Sequence, residues 1–237
     1  MDEAGVANRA LQLPADSIKD GISVDFVAVP WGAALGDSYY DTMLMDMSVF
    51  EAGIKAEEEG YDAVCIDTVS DSGMYALRSR LNIPVLGPGQ AAFHVACMLG
   101  HKFSVITMWD EWFHLYRKVL TEYKLESRCA SLRSINTRPD LEELLAGKEE
   151  VIFEKLEKES FRAIQEDGAD VIVLGSTTMH QSHGFLQQAL PVPVINPGLM
   201  SYKLCEIFLE TGLTHSKTAF PAPQQPNDQF ILSRVPD

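Results

Sequence analysis

Cysteine is scarce and scattered in this chain: four residues, at positions 65, 97, 129 and 205, with no Cys-x-x-Cys spacing. That pattern gives neither a disulfide framework nor a thiolate metal site. It suits reduced thiols, so a cytoplasmic location is expected. Basic residues are also few. Nineteen Lys and Arg stand against 34 Asp and Glu, for a formal net charge of −15. Such a balance repels nucleic acid and an anionic membrane surface alike, and neither is expected as a partner. No apolar run approaches the roughly 20 residues of a bilayer-spanning helix, and no linker or low-complexity segment separates independent domains. What is present is 237 residues, 46% of them hydrophobic, enough for one large or two small globular domains.

The chain is organised around Gly168 to His180, Gly-Ala-Asp-Val-Ile-Val-Leu-Gly-Ser-Thr-Thr-Met-His. A short apolar run bounded by glycines reads as a strand buried on both faces, as in a parallel sheet. A loop and a helix N-terminus should follow, placing Ser176, Thr177 and Thr178 where parallel sheets bind ligands and where free N–H groups favour an anion. An earlier stretch copies this one. Gly60, Asp62, Val64 and Thr68 match Gly168, Asp170, Ile172 and Ser176 at an offset of 168 − 60 = 108. Ile83-Pro-Val-Leu-Gly-Pro-Gly then matches Val192-Pro-Val-Ile-Asn-Pro-Gly at 193 − 84 = 109. A strand–turn grammar common to α/β proteins is the bland account. A duplicated unit, with Thr68 and Ser176 on opposite walls of one cleft, is the sharper one.

Around these blocks the periodicity predicts a strand over 22–29, a helix over 42–59 ended by Gly60, helices over 72–80 and 90–99, and a strand over 103–107. A helix over 108–123, a strand over 131–135 and a long helix over 148–166 follow. Beyond the second hydroxyl loop come a helix over 184–190, a strand over 192–195 and a helix over 199–210. Prolines from Pro221 onward indicate a surface tail, a candidate arm onto a neighbouring subunit.

With both blocks placed, the chain resembles the Asp/Glu/hydantoin racemase superfamily, its hydantoin racemase branch most closely. The resemblance runs from Val24 to Phe220 through Glu51-Ala-Gly, Gly60-Tyr-Asp-Ala, Asp71-Ser-Gly, Ile83-Pro-Val-Leu-Gly-Pro-Gly, Gly100-His-Lys-Phe-Ser-Val-Ile-Thr, Gly168-Ala-Asp-Val-Ile-Val-Leu-Gly and Pro193-Val-Ile-Asn-Pro-Gly. It implies an α/β fold of two pseudo-symmetric Rossmann-like lobes with parallel sheets and a cleft between them. Residues 1–98 plus 201–237 would form the first lobe and 99–200 the second, in a homo-oligomer with no cofactor. Racemising members use one cysteine from each lobe, and the matching positions here hold Thr68 and Ser176. An alcohol's pKa lies about 5 units above that of a free thiol, roughly 6–7 kcal/mol in driving force, so a two-thiol mechanism is not expected. Relatives also open with a strand and an Asn-Pro-Asn-like loop, so the natural protein is expected to begin upstream of Met1, which the intact mass of the native protein tests.

The candidate catalytic residues are Thr68, Ser176 and His180, the two hydroxyls holding substrate or water and His180 acting as general base. The alternative is that the hydroxyls only cap helices. Val69, Ser70, Thr177 and Thr178 are candidate donors to a carboxylate or imide oxygen. Thr107 is a further pocket hydroxyl, and Tyr40 lies in a loop that would close over substrate. His180 with His183 is a weak metal pattern, and no metal is expected. Asp71 is read as a helix cap, and Cys65, Cys97 and Cys205 as core residues. The leading expectation is an isomerase or cofactor-free lyase acting on a small carboxylate or cyclic imide. The alternatives are a retired binding or accessory protein that keeps the pocket and, more weakly, a Ser176-dependent hydrolase.

Overall fold

Residues 3–138 and 149–232 are described by a computed structural model. In chain order the elements are α1 (Glu3–Ala10), α2 (Tyr39–Gly53), β1 (Val64–Cys65), α3 (Met74–Arg80), β2 (Val85–Leu86), α4 (Pro88–Leu99) and β3 (Phe103–Thr107). Then follow α5 (Phe113–Tyr123), β4 (Cys129–Ser134), α6 (Glu149–Asp167), β5 (Val171–Leu174), α7 (His183–Ala189), β6 (Val194–Ile195), α8 (Pro197–Thr211) and α9 (Asp228–Leu232). The internal repeat is carried into these elements. α3 and α7 start 183 − 74 = 109 residues apart, β2 and β6 start 194 − 85 = 109 apart, and α4 and α8 start 197 − 88 = 109 apart.

One expected strand does not form. Over 22–28 burial alternates with period two, as in an extended chain, but the segment joins no ladder. Alternation specifies an extended chain; a strand also needs a neighbour for its N–H and C=O groups. The expected helix over 108–123 opens instead as a 3-10 turn at Asp110–Trp112 before α5.

The contacts group the residues into two units. One holds the described residues up to Ile66, Ser72–Gly87 and those from Tyr202 onward; the other holds Asp67–Asp71 and Pro88–Ser201. In the first unit β1 and β2 pair in parallel, Val64 with Val85 and Cys65 with Leu86. Met74, Leu77, Leu81 and Val85 are its best-buried apolar residues. Part of the expected tail is anchored: Asp228 in α9 pairs with Arg80 of α3 at 2.5 Å.

In the second unit a four-stranded parallel sheet has the order β4-β3-β5-β6. β5 is fully buried along its length, as its unbroken apolar run requires. Its alternate residues serve two cores. Val171 and Val173 join Phe103, Val105, Phe93 and Val119 on the face covered by α4 and α5. Ile172 and Leu174 join Ile106, Leu156 and Leu186 on the face covered by α6 and α7. Among the described residues no helix is long and apolar enough to cross a membrane.

Candidate functional site

Strand order decides where a parallel sheet opens. From β3 the chain passes through α5 to β4 on one side, while β5 lies on the other. The connections therefore part at the carboxyl ends of β3 and β5, the place where such sheets leave a crevice. Thr107 ends β3 there, and Gly175 to Thr178 follow β5.

The floor of this place is rigidly built. Thr107 is fully buried, and its Oγ1 lies 2.7 Å from Tyr116 OH. The phenol in turn donates to the Gly175 carbonyl at 2.7 Å, so the Thr107 hydroxyl donates to the phenol. Burial raises the Tyr116 pKa well above its usual value, so the donor stays protonated. A Cβ at position 175 would meet Thr107 Cβ at 2.7 Å and Tyr116 OH at 2.8 Å, which explains the glycine. Thr107 is thus held in the interior beneath the loop. Tyr116 was not a sequence candidate, because nothing but the fold brings a residue of α5 against the end of β5.

Above this floor Ser176 starts a 3-10 turn, Thr177–Ser182, that leads into α7. Its Oγ accepts from Thr178 N at 3.2 Å and lies 2.8 Å from Thr178 Oγ1. Ser176 is half-buried, Thr178 exposed and Thr177 almost wholly buried. His180 Nδ1 lies 3.1 Å from the Thr177 carbonyl. A carbonyl only accepts, so Nδ1 carries a proton, and in the neutral ring Nε2 holds the lone pair. His183 Nε2 donates to Val194 O at 3.1 Å, a packing role.

The first hydroxyl loop meets the second within the same unit. Thr177 Oγ1 donates to the Asp67 carbonyl at 3.2 Å, joining the neighbour of Ser176 to the neighbour of Thr68. Thr68 is half-buried, and Ser70 and Val69 are buried, Val69 with its side chain in the core beside Phe93. Asp71 closes the loop at a φ of 52°. Its carboxylate accepts from Gly89 N at 2.8 Å and Gln90 N at 2.7 Å, capping α4 rather than the helix that follows it in sequence. A Cβ on Gly89 would meet the Val69 carbonyl at 2.2 Å. In the second copy Asn196 Oδ1 caps α8 from within its own turn, accepting from Gly198 N at 3.1 Å. The first copy has Gly87 at that place, at 196 − 109 = 87. A glycine where its repeat carries a capping side chain was the signal that a cap must come from elsewhere.

Tyr40 sits in the first turn of α2 in the first unit, exposed. Cys65 is exposed, not a core residue; among the described residues β1 is two residues long and pairs only with β2. Cys205 is buried as expected and Cys97 half-buried. Among the described residues no group of three or more His, Cys, Asp and Glu is placed to hold a metal.

The family described as Asp/Glu/Hydantoin racemase matches residues 7–205. A hydantoin racemase from Pseudomonas sp. (strain NS671) is 32% identical over 191 residues, covering 81% of this chain and 76% of its own. The allantoin racemase of Klebsiella pneumoniae has a TM-score of 0.85 at 28% identity, over 94% of this chain and 90% of its own. That of Pseudomonas fluorescens has a TM-score of 0.86 at 26% identity, over 94% of each chain. The match spans far more than half of the sequence and the fold agrees with it: this protein belongs to the Asp/Glu/hydantoin racemase family.

Proposed function

We propose that the protein acts on a small carboxylate or cyclic imide through an enolate-like intermediate, as an isomerase or a cofactor-free lyase, without a two-thiol mechanism. The observation that carries this reading is the hydrogen bond from Thr177 to Asp67, which holds the two hydroxyl loops together at the switch point of the sheet. Loss of a proton next to a carbonyl puts negative charge on oxygen. The N–H groups of Val69, Ser70 and Thr177 and the hydroxyls of Ser70 and Thr178 are the proposed donors to that charge, their positions set before the reaction by the Asp71 cap and the Tyr116 floor. Thr68 and Ser176 hold substrate or an ordered water. His180 is the proposed base through Nε2. That atom is enclosed in this conformation, so proton transfer through it requires the Thr177–Ser182 turn to open.

The names of the relatives suggest hydantoins and allantoin as first substrates. Incubating each enantiomer of a 5-substituted hydantoin with the protein in deuterated water should exchange the ring C–H, read by proton NMR, and His180→Gln should slow it by about 100-fold or more. Binding without exchange would replace this reading by the second one, a binding or accessory protein. The favouring observation there is that Ser176 Oγ is engaged with Thr178, and an alcohol is a far poorer acid than the thiol of racemising relatives.

A homo-oligomer in the cytoplasm is part of the proposal. Tyr39, Tyr40 and Met43, 80%, 71% and 64% exposed on α2, support the assembly. A monomer mass by sedimentation across the micromolar range would count against it.

A further inference from the structure

The loops that follow β3 and β4 carry a cation that the proposed reaction does not use. Past the ladder the two strands stay joined: Ile135 N donates to the Thr107 carbonyl at 3.1 Å and Thr137 N to the Met108 carbonyl at 2.8 Å. On the other side of β3, Gly175 N donates to the Ile106 carbonyl at 2.8 Å. Residues 135–138 therefore leave the same edge of the sheet as the second hydroxyl loop, two strand spacings away, roughly 9–10 Å. Asn136 turns there at a φ of 48°. The exposed Arg138 guanidinium comes to lie over the Trp109 ring, 6.0 Å from its centre. Trp109 in turn packs against the core cluster that contains Met179, the residue between Thr178 and His180.

We propose that Arg138 is a specificity-determining residue of the crevice at β3 and β5, selecting substrates whose substituent ends in a carboxylate. The assignment rests on the proposed placement of substrate at the hydroxyl loops, and it adds a second point of recognition. The reacting carbon lies at Ser176 to Thr178, and the substituent crosses the end of β3 so that its carboxylate accepts from the Arg138 guanidinium.

The way this arginine is held sets it apart from most of the others. Arg80, Arg133 and Arg162 pair with carboxylates, and Arg78 and Arg128 donate to main-chain carbonyls. Arg138 is held by a ring face and meets no carboxylate among the described residues. A ring face steadies the guanidinium without consuming its N–H groups, so the planar fork is left to meet both oxygens of a carboxylate. Asp110 and Glu111 follow Trp109 and are exposed, so solvent screens their opposition to an anion. At a net charge of −15 the molecule as a whole repels a small anion. A cation beside the crevice supplies the local attraction that the overall field lacks.

The test measures binding to the native protein by calorimetry, for hydantoin-5-propionic acid and for its neutral primary amide. Wild type is expected to bind the acid at least ~10-fold more tightly than the amide, the factor that a charge-assisted bidentate pair supplies. Arg138→Gln should abolish that preference and leave the affinity for the amide within about 2-fold, since a neutral group gains little from the charge. Arg138→Lys should keep part of the preference, because the charge remains and the fork is lost. No binding of the acid, equal affinity of wild type for acid and amide, or an Arg138→Gln variant that weakens both alike would overturn the assignment. Exchange of the ring C–H in deuterated water, read on the same two compounds, separates this assignment from the enolate reading. Preference for the acid without exchange upholds Arg138 and defeats the enolate, while exchange without preference does the reverse.

Discussion

Gly175 is the residue on which the geometry of the second hydroxyl loop turns. Its carbonyl is held by Tyr116, and its missing Cβ leaves room for Thr107. Gly175→Ala should therefore destabilise by about 1–3 kcal/mol through overpacking, read as a lower urea midpoint. Tyr116→Phe keeps the ring but leaves the Thr107 hydroxyl and the Gly175 carbonyl without the phenol, which should cost about 1–3 kcal/mol by the same measurement. The other loop has its own determinant. Asp71→Ala removes the acceptor for two N–H groups of α4 and should cost about 1–2 kcal/mol; an unchanged midpoint would show that water satisfies that helix end. At this scale the candidate site was partly legible. Ser176, Thr177 and Thr178 were readable because strand, loop and hydroxyls are contiguous. Tyr116 was not, because its partner is 59 positions away.

Among the elements, β3 was read to the residue and β5 nearly so, since a fully buried parallel strand is an unbroken apolar run. The segment 22–29 shows the limit of such reading: alternation specifies an extended chain, while a ladder depends on what lies beside it. The docking of α6 on β4 was likewise invisible in sequence. Arg133 of β4 reaches Asp167 at 2.5 Å, Glu166 at 2.7 Å and Glu159 at 3.5 Å, all on α6. Hydrogen bonds from Arg133 hold Asp167 below the usual carboxylate range, and Arg162 and then Arg133 do the same for Glu166. A lowered carboxylate pKa stabilises the fold above the unfolded value, about 3.9 for Asp and 4.3 for Glu. That contribution is lost as pH falls through the lower folded value. Arg133→Gln should cost about 1 kcal/mol at neutral pH, an amount kept small by partial exposure. The gap from wild type in denaturation midpoints should close below about pH 4. A gap that persists unchanged in acid would mean that Arg133 acts by packing alone.

For the whole molecule the dominant quantity is its charge of −15. Self-repulsion at that charge opposes the compact state, so raising sodium chloride from about 0.01 to 0.15 M should raise the melting temperature as the Debye length shrinks to about 8 Å. A fall would show that local ion pairs such as those of Arg133 outweigh the net field. The sequence by itself determined the class of fold, the order of the elements and their repetition at an offset of 109. All three follow from local periodicity and from glycine and proline punctuation, properties of neighbouring residues. Only the tertiary structure decided that Asp71 caps α4 and that Thr107 lies beneath the loop under Tyr116. Those facts depend on which distant surfaces come to share one place, and hydrogen bonds and steric exclusion settle that only when the sheets and helices are packed.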